Sequence, residues 1–519
     1  AGRDAVQVRV PEETALDLLD HHLAAEMVAA GVQLNILDKD LTRLEITYLH
    51  QLLQEYFAAR VLAQSSQPDL VKTPWQVETM PEHLDAWLAQ AEASTPLPAA
   101  PTTGWEETTV LAAAMAPDPE QFVRELLPVN LPLAARCAAE PDVVVSAQLV
   151  SELQQALITR IGDKQADLRA RIAAAEALGN LGDPRFTRCQ GPHGDYLQPP
   201  LVAVPAGGYP IGDDASNYDD EKPAHTVEIA AFDMGMFPVT NAEYALFMEA
   251  GGYEDERWWQ TEAARSWLRG EGDKSGEKQN YWDLHELLQD QSEANLRSQP
   301  NFTPEQIDQY IWLKNLSKDE LGNWLAENIQ GGEMPNQPEF WDDSRFNHAA
   351  RPVVGVCWFE ARAYCAWLSA QTGDEYALPT EVMWEAAARG FAGREYAYEG
   401  GYDNGRCNTF ESHIRGTTPV GVFPQGCTPA GIHDMSGNVW EWTSTLWGKS
   451  FQNPDFRYPY TPDDGRENVE DGISRRVLRG GSWYNFADSA RAAARGNDHP
   501  GNRHLNLGFR VVVRRSPSH

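Results

Sequence analysis

The chain has 519 residues, with 76 acidic against 42 basic side chains and a formal charge of -34. It is long enough for two or three separate cores and too acidic for a general nucleic-acid binder, which needs a basic footprint. Six cysteines, at 137, 189, 357, 365, 407 and 427, include no C-x-x-C pair, so neither a disulfide scaffold nor a structural zinc site is indicated.

No signal peptide or long apolar span is visible, and the expectation is a cytoplasmic protein without a membrane partner. The start at Ala1-Gly-Arg-Asp, without methionine, suggests a fragment of a longer protein. Residues 11 to 190 read as all-α, because Leu16, Leu18, Leu19 and Leu23, then Leu49, Leu52, Leu53, Tyr56 and Phe57, recur at helical spacing. The second set predicts a helix that packs Leu52, Leu53, Tyr56 and Phe57 on one face. Tyr48-Leu-His-Gln-Leu-Leu-Gln-Glu-Tyr-Phe-Ala-Ala-Arg60 resembles the segment that closes the ATPase core of NACHT-type NTPases. That resemblance assigns residues 1–110 to the C-terminal part of such a protein, and since no G-x-x-x-x-G-K-[ST] loop occurs, it implies an NTPase domain upstream. Residues 111–195 form a helical segment and linker, in which Arg171-Ile-Ala-Ala-Ala-Glu-Ala-Leu-Gly-Asn-Leu-Gly-Asp-Pro-Arg185 resembles one HEAT-like repeat. It is expected to pack on the preceding helices or to act as a spacer, with a turn-rich boundary near residue 195.

From 196 to 519 the composition shifts to Gly, Trp, Asn and Pro. Leu201-Val-Ala-Val-Pro reads as an opening strand, Thr240 or Asn241 as a helix cap, and Thr380 as the start of a helix that buries Trp384 and Ala388. Residues of about 254–345 read as a helical excursion on the surface. The elements Gly480-Gly-Ser-Trp483, Arg491-x-x-x-Arg495 and Gly508-Phe-Arg510 resemble the C-terminal end of the formylglycine-generating-enzyme (sulfatase-modifying factor) family. The implied fold class is multidomain: an all-α N-terminal region followed by an α+β C-type-lectin-like domain with much irregular structure. Arg475, Arg476, Arg479, Arg491, Arg495 and Arg503 are read as internal hydrogen-bonding and ion-pair partners, with a basic binding rim as the alternative, and Cys365 as a buried, inert thiol. His21, His22, His50, His433, His499 and His504 are scattered and read as surface or packing residues.

Asp434-Met-Ser-Gly-Asn-Val-Trp-Glu441 is the most specific motif of the resemblance, which implies a structural Ca²⁺ held by the Asp434 and Glu441 carboxylates and the Gly437 and Val439 carbonyls. A second, weaker site would use Asn408 and Thr409. Catalysis in the family uses two cysteines separated by four residues; aligned on Gly480-Gly481-Ser482 those positions are Asn485 and Ala490. Without a soft ligand pair no redox metal is expected. The H-x-x-x-H-x-E spacing of the related sulfoxide synthases is also absent.

The interior of this region resembles the variable region of diversity-generating-retroelement proteins, over about 483–513. From Tyr484 to Val513 there is no Lys, Glu, Gln, Trp or Met, the residues that adenine-directed mutation of Asn codons cannot produce. The implied variable, ligand-binding positions are Tyr484, Asn485, Phe486 and Ser489; then Gly496, Asn497, Asp498 and His499; then Gly501, Asn502, His504, Leu505 and Asn506. Tyr and Phe mixed with small polar residues is the composition of adaptable binding loops. Tyr484, Phe486, His499, His504 and Leu505 are expected on one exposed face, over a frame of Trp483, Arg491, Arg495, Pro500, Arg503 and Phe509. The resulting expectation is a chain that is not an enzyme but a sensor for a diversified ligand, itself a protein. The alternatives are an oxidase or sulfoxide-synthase-like enzyme and an assembly scaffold for the upstream NTPase.

Overall fold

The computed structural model describes residues 9–19, 22–34, 36–40, 43–48, 51–72, 84–88, 90–271, 275–300, 302–329 and 334–514; Leu49, His21 and His50 lie outside these. Two compact units result, and no helix among the described residues is long and apolar enough to cross a membrane.

The first unit comprises Ala1–Met80, Ala99–Arg160 and Asn180–Gly182. Its helices include Gln51–Gln64, Glu106–Met115, Pro119–Leu126, Leu131–Ala139 and Ala147–Gly162. Asp118 and Asn130 cap two of them through the N–H groups of Gln121 and Leu133, each with a proline that lacks the donor, Pro119 and Pro132, in the first two helical positions. Leu149, Leu153 and Leu157, one turn apart, are fully buried. The region is not all-α, however: Arg9–Pro11, Leu37–Asp40 and Glu45–Tyr48 form an antiparallel sheet with Glu45–Tyr48 in the middle. Ile46 and Thr47 are β-branched, and the strand period of two turns Ile46 inward; a helical-spacing search averages over so short a run. The helix Gln51–Gln64 buries the expected stripe only toward its C-terminal end. Ala59, Leu62 and Ala63 are buried, whereas Leu52 is 75% and Tyr56 41% exposed.

The second unit comprises Pro81–Pro98, Ile161–Gly179 and Asp183–His519. It takes in most of the expected spacer helix, Leu168–Leu181. Arg171 Nη1 donates to the Val422 carbonyl, Glu176 pairs with Arg351 at 2.6 Å, and a Cβ on Gly179 would stand 2.8 Å from that of Ala350. The repeat-like segment is thus a layer of the C-terminal domain, joined by contacts some 250 residues distant in sequence, as Arg171 to Val422 is. The turn near residue 195 belongs to a hairpin, Thr187–Gly191 with Gly194–Gln198, so strands begin before the expected boundary.

One four-stranded sheet has the order Tyr376–Ala377, Val512–Arg514, Phe232–Gly235, Leu201–Val204. The other runs Gly496–Asp498, Arg475–Arg479, Trp440–Gly448, Leu507–Gly508, the last pair parallel. Helices Asn241–Glu249, Trp358–Thr372 and Glu381–Arg389 pack against them; Thr240 forms a capping box with Glu243, and Thr380 caps Met383 N. Tyr244, Phe247, Trp358, Tyr364, Trp367, Trp442 and Phe509 form an aromatic core. Cys365 lies in it, its thiol pushed up to about 12 by burial, as an inert thiol should be.

The segment of about 254–345 is only in part a surface excursion. Trp258, Trp259, Ala264 and Leu268 belong to the domain core. Helices Ser275–Gln289, Glu293–Arg297, Pro304–Asn315 and Lys318–Asn328 then close on a core of their own, built from Leu288, Leu296, Leu313, Leu321, Leu325 and Ile329. This subdomain touches the segment expected to vary.

Candidate functional site

Gly480 and Gly481 turn the chain after the strand Arg475–Arg479 with φ of 101° and 69°. A Cβ on Gly481 would meet the Ser489 carbonyl at 2.6 Å, so only glycine lets residue 482 fold back on residues 489 and 490. Asn485, at the first cysteine position, accepts at Oδ1 from Trp440 Nε1 (2.9 Å) and Ser482 Oγ (2.6 Å). Asn506 Nδ2 donates to the same Ser482 Oγ at 2.9 Å. Ala490, at the second position, is fully buried beside Tyr396, Tyr398 and Cys407. Phe486 is 37% exposed and meets Phe410 edge-on, with centroids 5.1 Å apart. The His504 side chain is 51% exposed, its Nε2 3.0 Å from Asp498.

Three expected surface positions are corrected by the structure: Asp498, His499 and Asn502 are buried. Asn502 N–H closes a tight turn onto the His499 carbonyl, and Asp498 inside that turn accepts from His499 N–H and Asn502 Nδ2. An acid so placed is a structural acceptor. Gly496 and Asn497 are held in a strand, with Asn497 Oδ1 accepting from Arg475 and Gly496 packed under the Trp440 ring. Tyr484 is half-buried, edge-on to Trp483 at 5.5 Å in a cluster that Phe340 and Leu505 also join, and its hydroxyl donates to Gln306 Oε1 at 3.3 Å. A Cβ on Gly501 would stand 3.3 Å from the Trp267 ring, and Arg475 pairs with Asp283 and Asn280. Of the five residues expected side by side in solvent, Phe486 and His504 are exposed, Tyr484 and Leu505 partly covered, and His499 buried. Trp440, Phe410 and Gln306 were not singled out from sequence; the Trp in the Asp434 motif was the one available signal.

The six arginines do turn inward. Arg479 donates to Glu381, Glu385 and Tyr458, Arg495 to Glu381, Arg491 to Glu221 and Arg503 to Glu360. Arg476 donates to the Ser444 and Asn468 carbonyls and lies over Trp358. His433 is packed beside Phe237, and burial with Arg185 and Arg510 nearby pushes it down to about 4.

The Asp434 loop does not fit the expected cation. Both Glu441 oxygens are taken by the Arg510 guanidinium (2.6 and 2.7 Å), and one also accepts from Trp384 Nε1 at 2.7 Å. A ligand already neutralised by a buried guanidinium has little to offer Ca²⁺. The Gly437 carbonyl accepts from Val439 N–H, and Asp434 from Gly421 N–H. Asn408 is spent on Gly416, Asn438 and Ser412, and Thr409 on Glu411. Among the described residues no group of three or more His, Cys, Asp and Glu is placed to hold a metal ion.

Burial pushes the Asp434 carboxyl up to about 6, against the lowering effect of Gly421 N–H and Arg510. The folded state therefore holds a proton that the unfolded chain releases near pH 4, and stability falls as pH rises from about 4 to about 6, by on the order of 3 kcal/mol. Asp434→Asn should remove that slope in denaturant titrations across this range, and an unchanged slope would assign it to other groups.

The residues present do not fit the family's copper centre either. Asn485 and Ala490 replace the thiolate pair, and the one cysteine beside Ala490, Cys407, is pushed up to about 12 by burial. A lone protonated thiol does not make that centre.

A family model described as "Sulfatase-modifying factor enzyme 1-like domain" matches residues 192–515. The hercynine oxygenase of Mycolicibacterium smegmatis is 30% identical over 322 residues, covering 60% of this chain and 60% of that protein. The formylglycine-generating enzyme of Bos taurus is 28% identical over 339 residues, covering 61% of this chain and 75% of the relative. The inactive C-alpha-formylglycine-generating enzyme 2 of Mus musculus is 29% identical over 337 residues, covering 62% and 87%. The chain thus spans less than two thirds of the length of the hercynine oxygenases it matches. Among solved structures, Treponema denticola variable protein 1 is 18% identical at a TM-score of 0.37, covering 64% of this chain and 100% of its own. These relatives correct the expectation that the chain is not an enzyme: hercynine oxygenases and formylglycine-generating enzymes are enzymes by name, beside an inactive relative. The missing cysteine pair therefore does not decide the matter.

Proposed function

Since the chain belongs to the sulfatase-modifying factor enzyme 1-like family through residues 192–515, we propose that it uses this family's scaffold to bind a ligand at the surface around Phe486 and His504. The observation that carries this reading is the division of the segment into a buried frame and an exposed rim. Trp483, Arg491, Pro500 and Phe509 are buried, while Phe486 and His504 are exposed and Tyr484, Asn485, Ser489, Leu505 and Asn506 are partly so. An aromatic set in a polar rim over a fixed base is how adaptable contact surfaces are built. In this reading the rim residues are diversified by a retroelement, the ligand is a protein, and an NTPase domain upstream receives the signal.

The test of diversification is the flanking DNA. A near-copy of the codons for 483–513, differing at adenines and lying beside a reverse-transcriptase gene, is expected; its absence removes the diversified reading. A protein-level check is Phe486→Ser, which should cost less than about 1.5 kcal/mol because the side chain already faces water in part. A larger loss in chemical denaturation would make Phe486 a packing residue. A second reading, oxidation of the bound ligand, is favoured by the names of the relatives. Oxygen consumption with iron(II) or copper(I) and a thiol substrate, above the rate of the same mixture without protein, would put that reading first.

A further inference from the structure

Behind the ligand face, a strap of residues 93–97 is seated on the loop 412–415. Leu97 N–H donates to the His413 carbonyl at 2.7 Å, His413 Nδ1 donates to the Thr95 carbonyl at 2.7 Å, and the Arg415 guanidinium donates to the Ala93 carbonyl. Trp87 meets the His413 ring edge-on, centroids 5.4 Å apart. His413 and Arg415 both hold left-handed backbone, with φ of 63° and 62°. Residues with a Cβ keep that conformation only where their surroundings fix it, and the bonds to the strap are part of those surroundings.

The same loop reaches the variable residues. Arg415 lies over the Phe410 ring, 3.8 Å from its centroid, and donates to the Phe410 carbonyl. Phe410 N–H donates to the Asn485 carbonyl at 2.9 Å, its ring meets Phe486, and Glu411 accepts from Ala487 N–H at 2.9 Å. An unbroken set of contacts therefore runs from residues 485–487 through Phe410 and Arg415 to the strap. In sequence, the strap segment Pro81–Pro98 groups with the domain, whereas the chain on either side of it, Ala1–Met80 and Ala99–Arg160, groups with the helical unit.

We infer that the strap is the output of the ligand face: a ligand that packs on Phe486 fixes Phe410 and Arg415 and tightens residues 93–97, and loss of that packing loosens them. The inference rests on the ligand face proposed above and supplies its regulation; coupling of this kind is reciprocal, so the strap also sets how firmly Phe486 is held. The test is hydrogen–deuterium exchange on the full chain, read in the peptide that contains Leu97. Phe486→Ala, which does not touch the strap, should speed exchange there about fivefold, and Arg415→Ala about tenfold, as local opening becomes easier. Tyr484→Ala, on the same face but outside the contacts to Phe410, should leave it unchanged. Unchanged exchange in Phe486→Ala, or equal acceleration in Tyr484→Ala, overturns the inference. The readout needs no ligand, so a face that binds nothing and a face that is not coupled give different results.

Discussion

Glu381→Ala should destabilise the C-terminal domain by about 3–5 kcal/mol, the range for removing one partner of a buried ion pair. Glu381 is fully buried; it accepts from Arg495 Nε at 2.9 Å and Arg479 Nη2 at 3.1 Å, from the Tyr458 hydroxyl at 3.3 Å, and Arg466 stands 3.7 Å away. Burial alone would raise its carboxyl, but Arg495, Arg479 and Arg466 outweigh it and hold the group below the ordinary carboxylate range. Without that carboxylate the buried guanidinium of Arg479 keeps only Glu385 as countercharge, and that of Arg495 keeps only its bond to the Asp220 carbonyl. Glu381→Gln keeps the shape and loses the charge, and should fall between the two. Chemical denaturation followed by tryptophan fluorescence measures both; a loss under about 1 kcal/mol for alanine would mean that water reaches the cluster and screens it.

Phe509→Ala should cost about 3–5 kcal/mol as a core truncation. The ring is fully buried, edge-on to Tyr364 at 5.5 Å and Tyr244 at 6.4 Å, and the residue's carbonyl accepts from Val239 N–H at 2.9 Å. Since Tyr364 and Tyr244 sit on two different helices, Trp358–Thr372 and Asn241–Glu249, the cavity cannot close by a local shift. Trp483→Ala should cost less, because Trp483 lies near the surface in a small cluster with Phe346, Val354 and Val439. The expected order of midpoints, Phe509→Ala lowest and Phe486→Ser highest, separates frame from rim by measurement. Equal losses at 486 and 509 would erase that distinction.

The buried frame was legible because its signals are local. Thr380 ahead of an amphipathic run predicts a cap, and Thr380 caps Met383 N–H; Arg491 and Arg495, spaced by four in an alanine-rich stretch, predict inward charges, and both find carboxylates. The loop Asp434-Met-Ser-Gly437 was legible as a motif and misleading as a ligand set, since Arg510, which engages Glu441, stands 69 residues away. Small strands escaped for a related reason. Glu45–Tyr48 has four residues, too few for its alternation to stand out against helical neighbours.

By itself the sequence determined much of the scaffold: the glycines at 480 and 481, the inward arginines, the inert Cys365 and the buried Trp384 follow from residue type and spacing, because backbone sterics and the cost of unpaired buried charge leave few alternatives. Tertiary structure alone decided which residues of the segment expected to vary meet solvent. A turn folds Asp498, His499 and Asn502 inward, Gln306 reaches Tyr484 from 178 residues away, and the strap at Leu97 meets His413 across more than 300. Such contacts join segments whose own patterns are those of ordinary loops and helices, and exposure is a property of the pair rather than of either sequence.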